Sequence, residues 1–580
     1  MRQLRSSVLP AILAVAILLV TIGFAKASRA QGTDSSDADS VTVYRNGRIY
    51  TNDPESPWAS AMLVRGERIL AVGDDDEVTA LADKGAQIID LEKHFVMPGF
   101  NDAHVHLGGA GEDWLAVRLN GVQNVTELQK RVADGVAQHK EGEWITGSGW
   151  DHTFWPDKKF PNRQQLDAVS PKNPLILTHI SGHVAVANSL ALELAGVTKT
   201  TPNPAGGEIE KDAAGEPTGM LKEGAAMKLV WSKIPPPTLE QRRKGIELAL
   251  ADVAKNGVTS VQDNSAWEDF LTYRAIKNDG KLFVRITEWL PFAAPLEKLE
   301  KMRREGGTTD PWLRTGALKL VSDGALGSRT AAMLAPYSDD SSTSGILTME
   351  PEKIKALAIE RDKAGFQLNF HAIGDRANRV SLDAFEAAAK ANGPRDRRDR
   401  IEHAQVVALS DIPRFARLQV IASMQPSHQT SDMRWAESRV GPERIKGAYA
   451  WATLQKFGVR LAFGTDYDVE PISPFRGLYA CVTRELPTGG PERVSEGTKK
   501  IIIRGWQPQE KISLEDCIRA YTSGSAYGEF MEGKKGELKA GEFADFIVLS
   551  NDLTKVEPRE YTNTTVLRTV VGGKTVYSAQ

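Results

Sequence analysis

Two histidines stand one residue apart in the stretch "PGFNDAHVHL" (98–107), at the end of an apolar run. Successive side chains of a β-strand point to opposite faces, so in a strand His104 and His106 lie on the same face. Two imidazoles on one face can hold a divalent metal ion. The pair alone is a weak indication, because histidines without a ligand role are commoner than metal sites.

Three further residues of ligand type follow apolar runs later in the chain: His371 in "NFHAIGD", His403 in "RIEHAQ" and Asp466 in "FGTDYD". Barrel enzymes carry their chemistry on residues at the carboxyl ends of the strands. Four of the ten histidines and one aspartate take such positions. This recurrence favours a metal-dependent active site over chance placement.

Lys319, in "ALKLVSDG", is a charged residue inside an apolar run. One interpretation is an amine that reaches the surface or pairs with Asp323. The other is that burial lowers its pKa, so that the neutral amine takes up carbon dioxide and the resulting carbamate bridges two metal ions. Imidazole nitrogens and carboxylate-type oxygens suit Zn²⁺, and Mn, Fe or Ni accept the same donors.

A barrel would position these residues. Short apolar runs alternate with helical stretches through the middle of the chain, which is typical of βα units around a parallel sheet. Eight runs predict the strands of an α/β fold, a (β/α)₈ TIM barrel. They are "FVMPGFNDAHV", "GVTSVQDN", "FVRITEWL", "ALKLVSD", "FQLNFHA", "RIEHAQ", "VIASMQP" and "RLAFGTD".

About 150 residues separate the first predicted strand from the second, far more than one crossover helix needs. We interpret residues 120–235 as an insertion that caps the barrel mouth. The assignment depends on "PLILTHI" lying in that insertion, because counting it as a barrel strand would displace Lys319 from the fourth strand.

Both ends of the chain have β character with turn residues, in "VTVYRNGRIYT" and "SAMLVRGERILAVGD" near the start and in "GELKAGEFADFIVLS" and "VLRTVVGGKTVYS" near the end. They predict one small composite β-sandwich. Residues 41–95 would form its first part, 96–490 the barrel, and 491–580 the last barrel helices and the rest of the sandwich.

The first 30 residues combine early arginines, an apolar stretch and small residues before Ala30, the pattern of a cleaved secretory signal peptide. A polar linker at 31–40 follows. We expect export to the periplasm or the medium, with an uncleaved membrane anchor as the alternative. Cys481 and Cys517 are the only cysteines, and the sequence leaves open whether they pair.

A net charge of −3, without the composition of a basic face, argues against a nucleic-acid partner, and the short arginine-rich run at 395–400 is read as a solvated loop. We expect a small-molecule substrate, no membrane contact after signal cleavage, and a chain that is able to form homo-oligomers.

In series, these motifs resemble the amidohydrolase superfamily, and the local patterns are similar to its amidohydrolase 3 branch, which includes N-substituted formamide deformylases. The resemblance spans nearly the whole mature chain, from "PGFNDAHVHL" through "SGHVAVANSLAL", "GEPTGMLKEGA", "LKLVSDGALGSRTA" and "NFHAIGDRA" to "LAFGTDYDVEPISPF" and "GEFADFIVLS". It implies a barrel with a composite β-sandwich.

The resemblance also implies roles. His104 and His106 would bind one metal ion and His371 and His403 a second, with Zn²⁺ the expected ion at both. Lys319 would carry the bridging carbamate, and Asp466 would be both a ligand and the acceptor of the proton of the attacking water. The activity it implies is hydrolysis of a carbon–nitrogen bond outside peptides, in an amide or an N-formyl or N-acyl amine, by metal-activated hydroxide.

Two loop residues, His183 in "SGHVAVANS" and Arg329 in "GALGSRTA", are candidate substrate-binding residues. A purely structural role for His183 and its neighbour His179 is an equal alternative. In "WDHTFWPD" (150–157), Trp150, His152 and Trp155 either line an aromatic pocket or pack the cap. The remaining histidines, His94, His139 and His428, match no motif and are expected on the surface or in the core.

Two other functions stay open at this point. One is a deaminase or cyclic-amide hydrolase of the same superfamily, of which the deaminase would use one metal ion and no carbamate. The other, of a different class, is a non-catalytic binding protein on a degenerate barrel.

Overall fold

A computed structural model describes residues 40–179, 182–487, 493–494, 502–503 and 505–579. The predicted signal peptide (1–30) and all of the predicted linker except residue 40 lie outside the described residues. Within the described part of the chain, no helix has both the length and the apolar character needed to cross a membrane.

Eight parallel strands, hydrogen-bonded in sequence order, form the predicted barrel. Each of the eight predicted runs supplies one strand, so the fold class is confirmed. The strands are Phe100–Val105, Val258–Asp263, Arg285–Pro291, Leu313–Val321, Leu368–Ala372, Arg400–His403, Ile421–Met424 and Leu461–Phe463.

The first strand meets the segment that follows the eighth strand, which closes the barrel. Val105 bridges to Tyr467 in parallel, and the Asp466 backbone N–H donates to the carbonyl of His104 over 2.8 Å. The buried Asp102 carboxylate accepts the Thr465 backbone N–H at 2.9 Å and its hydroxyl at 2.6 Å. Closure therefore holds two predicted ligands, His104 and Asp466, side by side.

Helices surround the strands, and their apolar faces share one core with the barrel. Local sequence starts several of them: Thr238 and Gln241, for example, form a reciprocal capping box at the start of the helix that leads into the second strand. The helices are Leu107–Leu115, Leu239–Lys255, Trp267–Asn278, Leu296–Gly306, Pro351–Lys363, Asp375–Asn392, Ile412–Leu418, Pro426–Asp432, Ala436–Arg444, Trp451–Lys456, Pro474–Thr483, Leu514–Ala520 and Ser523–Gly528.

The segment between the first two barrel strands has its own six-stranded sheet. Ile176 and Leu177, which are adjacent in one strand, lie in different apolar clusters on opposite faces of that sheet. Its strands are Val117–Arg118, Ile145–Trp150, Leu175–His179, Val184–Ala187, Glu208–Lys211 and Pro217–Lys222, and its helices are Val125–Val136, Arg163–Asp167, Ser189–Leu194 and Glu223–Trp231. "PLILTHI" thus lies outside the barrel, and Lys319 is on the fourth barrel strand.

Two sheets at the ends of the chain form the small β-domain. One contains Val41–Arg45, Ala61–Arg65, Arg68–Gly73 and Gln87–Asp90. The other contains Arg48–Tyr50, Trp58–Ala59, Phe95–Pro98, Phe546–Leu549, Val566–Val571 and Lys574–Ser578. Phe95–Pro98 pairs antiparallel with Phe546–Leu549, so both ends of the chain share one sheet.

This pairing divides the run "FVMPGFNDAHV", which the sequence predicts as one barrel strand. The structure ends one strand at Pro98 and starts the barrel at Phe100. The Gly99 N–H donates to the Asp545 carbonyl at 3.0 Å, and the first four residues of the run add to the terminal sheet. The β-domain therefore extends to Pro98, beyond the predicted boundary at residue 95.

Cys481 and Cys517 form a disulfide, which answers the question that the sequence leaves open. The bond joins the helices Pro474–Thr483 and Leu514–Ala520 across 36 residues. Closing such a loop in the unfolded chain stabilises the folded state by about 3–4 kcal/mol in the chain-entropy account.

Dithiothreitol should therefore lower the melting temperature of the wild-type protein, measured by circular dichroism. The double variant Cys481→Ala/Cys517→Ala should melt lower than the oxidised wild type, and dithiothreitol should not shift it further. Equal melting of the oxidised and reduced wild-type protein would contradict the stabilising role of the bond.

Candidate active site

Four of the predicted ligands meet where the first, fourth and eighth barrel strands end. The Lys319 Nζ atom lies 2.9 Å from His104 Nε2. Asp466 Oδ1 lies 3.1 Å from His106 Nε2 and 3.6 Å from His104 Nε2. Residues more than 360 positions apart in the chain thus converge on one point at the carboxyl edge of the barrel.

The other two predicted ligands lie beside this group. The His403 ring centroid is 5.1 Å from that of His104 and 4.5 Å from that of His371. The structure therefore brings all six predicted ligands together, and their individual roles as ligands stay predictions.

Hydrogen-bond acceptors hold the Nδ1 atoms of the His106 and His403 rings. His106 Nδ1 donates to the Asn264 carbonyl at 2.9 Å, and His403 Nδ1 donates to Gln425 Oε1 at 2.7 Å. With the proton held on Nδ1, the Nε2 lone pair of each ring is directed into the site. Metal-binding histidines in proteins are oriented in this way.

His104 is oriented by a buried charge. Its Nδ1 lies 3.0 Å from Glu402 Oε2, and both side chains are fully buried. Glu402 also accepts hydrogen bonds from Arg400 Nε at 2.9 Å and from the Ser423 hydroxyl at 2.7 Å. Burial alone would raise the pKa of Glu402, but Arg400 and His104 outweigh it and lower the pKa to about 2. The carboxylate is therefore ionised throughout the neutral range.

The electrostatics favour the ligand forms of His104 and Asp466. Burial and the neighbouring Lys319 ammonium lower the pKa of His104 to about 4, so its ring is neutral. Burial opposes ionisation of Asp466, yet the surrounding imidazoles hold its pKa well below the ordinary value. Burial lowers the pKa of Lys319 to about 8.

A metal ion fits this donor set. Asp466 Oδ1 is buried and has no hydrogen-bond partner among the described residues, although a buried carboxylate oxygen without a partner is unfavourable. It faces the Nε2 atoms of His104 and His106, and these three donor atoms lie within 4.8 Å of one another. Imidazole nitrogen with carboxylate oxygen is a zinc-type ligand set.

Two of these residues have left-handed backbone conformations, with φ of 72° at His403 and 59° at Asp466. Residues other than glycine are uncommon in this region, and such conformations cluster at functional sites. Here the conformation turns the chain sharply at the ends of the sixth and eighth strands.

Lys319 is only 6% exposed, which excludes the interpretation of an amine that reaches the surface. Asp323, its other predicted partner, accepts backbone N–H groups from Ile373 at 3.0 Å and Gly374 at 2.8 Å. Its Oδ1 also lies 3.3 Å from His371 Nε2. Asp323 thus orients His371.

His428 is a member of the site that the sequence does not predict. Its Nε2 lies 3.7 Å from Asp466 Oδ2, and its ring is nearly parallel to that of His403. The expectation of an ordinary surface or core histidine is wrong, because the helix Pro426–Asp432 returns over the barrel end directly after the seventh strand. Its only sequence signal is its place four residues after that strand.

The structure places the two predicted substrate-binding residues in other contacts. His183 Nδ1 lies 3.1 Å from Glu223 Oε2 in the insertion. Arg329 forms a bidentate salt bridge with Asp339, with two hydrogen bonds of 3.0 Å. Their roles towards a substrate stay predictions. Trp150 and Trp155 are buried in the core of the insertion, so these two tryptophans pack the insertion.

Comparison with known proteins agrees with this geometry. The model of the "Amidohydrolase family" matches residues 87–577. The chain belongs to this family.

Similar proteins include "Protein LONG AFTER FAR-RED 3" of Arabidopsis thaliana, 36% identical over 92% of this chain and 91% of that protein. N-substituted formamide deformylase of Arthrobacter pascens is 27% identical over 91% of this chain and 96% of its own length. A solved structure of an uncharacterized metal-dependent hydrolase from Pyrococcus horikoshii is 30% identical, with a TM-score of 0.71 over 90% of this chain and 99% of that one. The chain is thus a hydrolase of the metal-dependent amidohydrolase superfamily.

Glu402→Gln should weaken metal binding while keeping the shape of the side chain, because the amide no longer supplies the negative charge that orients His104. Changes to the groups that hold metal-binding histidines typically reduce metal affinity about 10- to 100-fold, which competition with a chelator measures. Glu443→Gln, at an 82% exposed carboxylate, is the control. Equal affinity in Glu402→Gln and the wild type would contradict the orienting role.

Proposed function

We propose that this protein hydrolyses a carbon–nitrogen bond of a small, non-peptide amide, with N-formyl and N-acyl amines as the first candidate substrates. The observation that carries the proposal is the convergence of Asp466 Oδ1 on His106 Nε2 and His104 Nε2, at 3.1 and 3.6 Å. The similarity to an N-substituted formamide deformylase supports this bond type.

His104, His106, His371, His403 and Asp466 would hold the metal, two Zn²⁺ ions in the full arrangement, and carboxylated Lys319 would add oxygen donors. A bound divalent metal supplies Lewis acidity, which lowers the pKa of water and polarises a carbonyl group.

Asp466 is the group that moves the proton. Its carboxylate is ionised, and Oδ1 faces into the site without a hydrogen-bond partner among the described residues. It accepts the proton that the attacking water loses and then donates it to the leaving nitrogen, so a carboxylic acid and an amine are released. His428, near the second oxygen of the same carboxylate, helps to hold its orientation.

Asp466→Asn should lower kcat by about 10²- to 10⁴-fold, since the amide cannot accept the proton. The assay is hydrolysis of a panel of N-formyl amines, N-acyl amines and lactams by zinc-loaded protein, with amine release as the readout. Glu443→Gln, at an 82% exposed carboxylate, is the control and should leave the rate unchanged. If the fully metal-loaded wild type hydrolyses no member of the panel, amide hydrolysis is the wrong reaction.

Lys319 decides between this proposal and a deaminase with a single metal ion. Its buried amine, 2.9 Å from His104 Nε2, is placed to react with carbon dioxide, forming an N–C bond and releasing one proton. The resulting carbamate provides oxygen donors beside the histidines.

Lys319→Ala should therefore lose about two equivalents of metal per chain relative to the wild type, together with most of its turnover. Inductively coupled plasma mass spectrometry measures the metal, and Lys446→Ala, at an exposed lysine, is the control. Retention of one metal ion and much of the turnover in Lys319→Ala would favour the deaminase.

Export remains part of the proposal. The Cys481–Cys517 disulfide supports it, because such bonds persist in oxidising compartments. The N-terminal residue of the mature protein tests it: cleavage after Ala30 leaves Gln31 first, whereas Met1 would indicate the membrane-anchored alternative.

A further inference from the structure

A second group of ligand-type residues lies in the insertion, apart from the barrel residues described above. Asp151 and His152 directly follow the strand Ile145–Trp150, and His179 ends the neighbouring parallel strand Leu175–His179. Trp150 and His179 are opposite each other in the register of these strands. The topology therefore brings two imidazoles and one carboxylate to the same edge of the sheet.

The distances in this group suit a metal ion. One donor atom from each of Asp151, His152 and His179 lies within 4.8 Å of the other two. Asp151 Oδ1 and His179 Nε2 are 3.5 Å apart. Two ligands of a tetrahedral zinc ion, at bond lengths near 2.1 Å, are separated by about 3.4 Å, so small shifts of the side chains would complete the arrangement.

His152 provides an independent indication of a ligand. Its Nδ1 is buried and has no hydrogen-bond partner among the described residues. An unpaired buried polar atom is unfavourable, and native structures usually satisfy it with protein, water or an ion. A metal ion between His152 and its two neighbours would supply the missing partner.

The surroundings hold the three groups in place. The His152 ring lies on Phe160 with centroids 4.0 Å apart, and the His179 ring meets the edge of Trp150 at 4.7 Å. Asp151 Oδ1 accepts both the Thr153 N–H at 2.9 Å and the Thr153 hydroxyl at 2.7 Å. These contacts restrict the side chains before any ion binds, which lowers the entropic cost of binding.

The charge states agree with this arrangement. Hydrogen bonds from Thr153 hold the pKa of Asp151 below its ordinary value, so the carboxylate is ionised. Burial lowers the pKa of His179, so its ring is neutral and able to bind a metal. Two imidazoles and one carboxylate match the three-ligand sets of zinc sites with an open fourth position.

We propose that Asp151, His152 and His179 form a binding site for a divalent transition metal, zinc being the probe ion, separate from the metal site of the barrel. The ion would join the ends of two strands of the insertion and leave one position for water or another small ligand. The proposal does not depend on the reaction that the barrel catalyses.

Zinc content per chain tests this site directly. We expect His152→Ala and His179→Ala each to bind about one equivalent less zinc than the wild type after equilibration and desalting, as measured by mass spectrometry. His139→Ala, at another histidine of the insertion, is the matched control and should keep the wild-type content. His104→Ala should reduce zinc through the barrel site, and combining it with His179→Ala should lower the content further.

A measurement on the wild-type protein avoids the question of whether the variants fold. Crystals grown with zinc should show an anomalous scattering peak at the zinc edge between the His152 and His179 rings, in addition to any peak in the barrel. Equal zinc content in folded His179→Ala and the wild type would overturn the proposal. An anomalous peak in the barrel without one in the insertion would also overturn the proposal, because Asp151, His152 and His179 would then only pack against their neighbours.

Discussion

The buried carboxylate of Glu402 is the interaction on which the site depends. It is fully buried between Arg400 on its own strand and His104 on the first strand. Removing one partner of a buried charge pair typically costs about 3–5 kcal/mol, so each of these side chains is held by the others. Arg400 also donates to the Ala103 carbonyl and the Ser423 hydroxyl, which ties the first, sixth and seventh strands together.

The Glu402 carboxylate also determines how the reactive groups above it are oriented. Because Glu402 holds Nδ1 of His104, Nε2 of the same ring faces Lys319 and Asp466. Asp102 secures the Thr465 backbone against the first strand, and the left-handed conformation of Asp466 then turns its carboxylate towards the histidines. Fixed charges below the strand ends thus orient the reactive groups without relying on mobile loops, as preorganised active sites require.

The insertion and the β-domain have apolar cores of their own, separate from the core of the barrel. The insertion has apolar clusters on both faces of its own sheet, so it can change without disturbing the barrel. The β-domain pairs Phe95–Pro98 with Phe546–Leu549 and joins the two ends of the chain. Selectivity for a substrate resides in loops and insertions of this kind more than in the strand ends.

Local pattern was enough to predict the eight barrel strands and to select the histidines and the aspartate that follow them, because strand periodicity and the position of a residue after an apolar run are visible along the chain. For Lys319 the local pattern left two interpretations open, and the family resemblance favoured the carbamate. The division of "FVMPGFNDAHV" at Gly99 was not predictable in this way, because it depends on a partner strand some 450 residues away. His428, Glu402 and Gln425 were missed for the same reason: each acts through a neighbour in space.

The sequence by itself determined the fold class and the kind of chemistry, since residue types, their spacing and the order of the strands are properties of the chain. Only the tertiary structure decided that Cys481 pairs with Cys517, that Lys319 is enclosed and lies against His104, and that Asp151, His152 and His179 meet in the insertion. Each of these depends on a distance between remote residues, and such a distance exists only once packing has brought the strands and helices together.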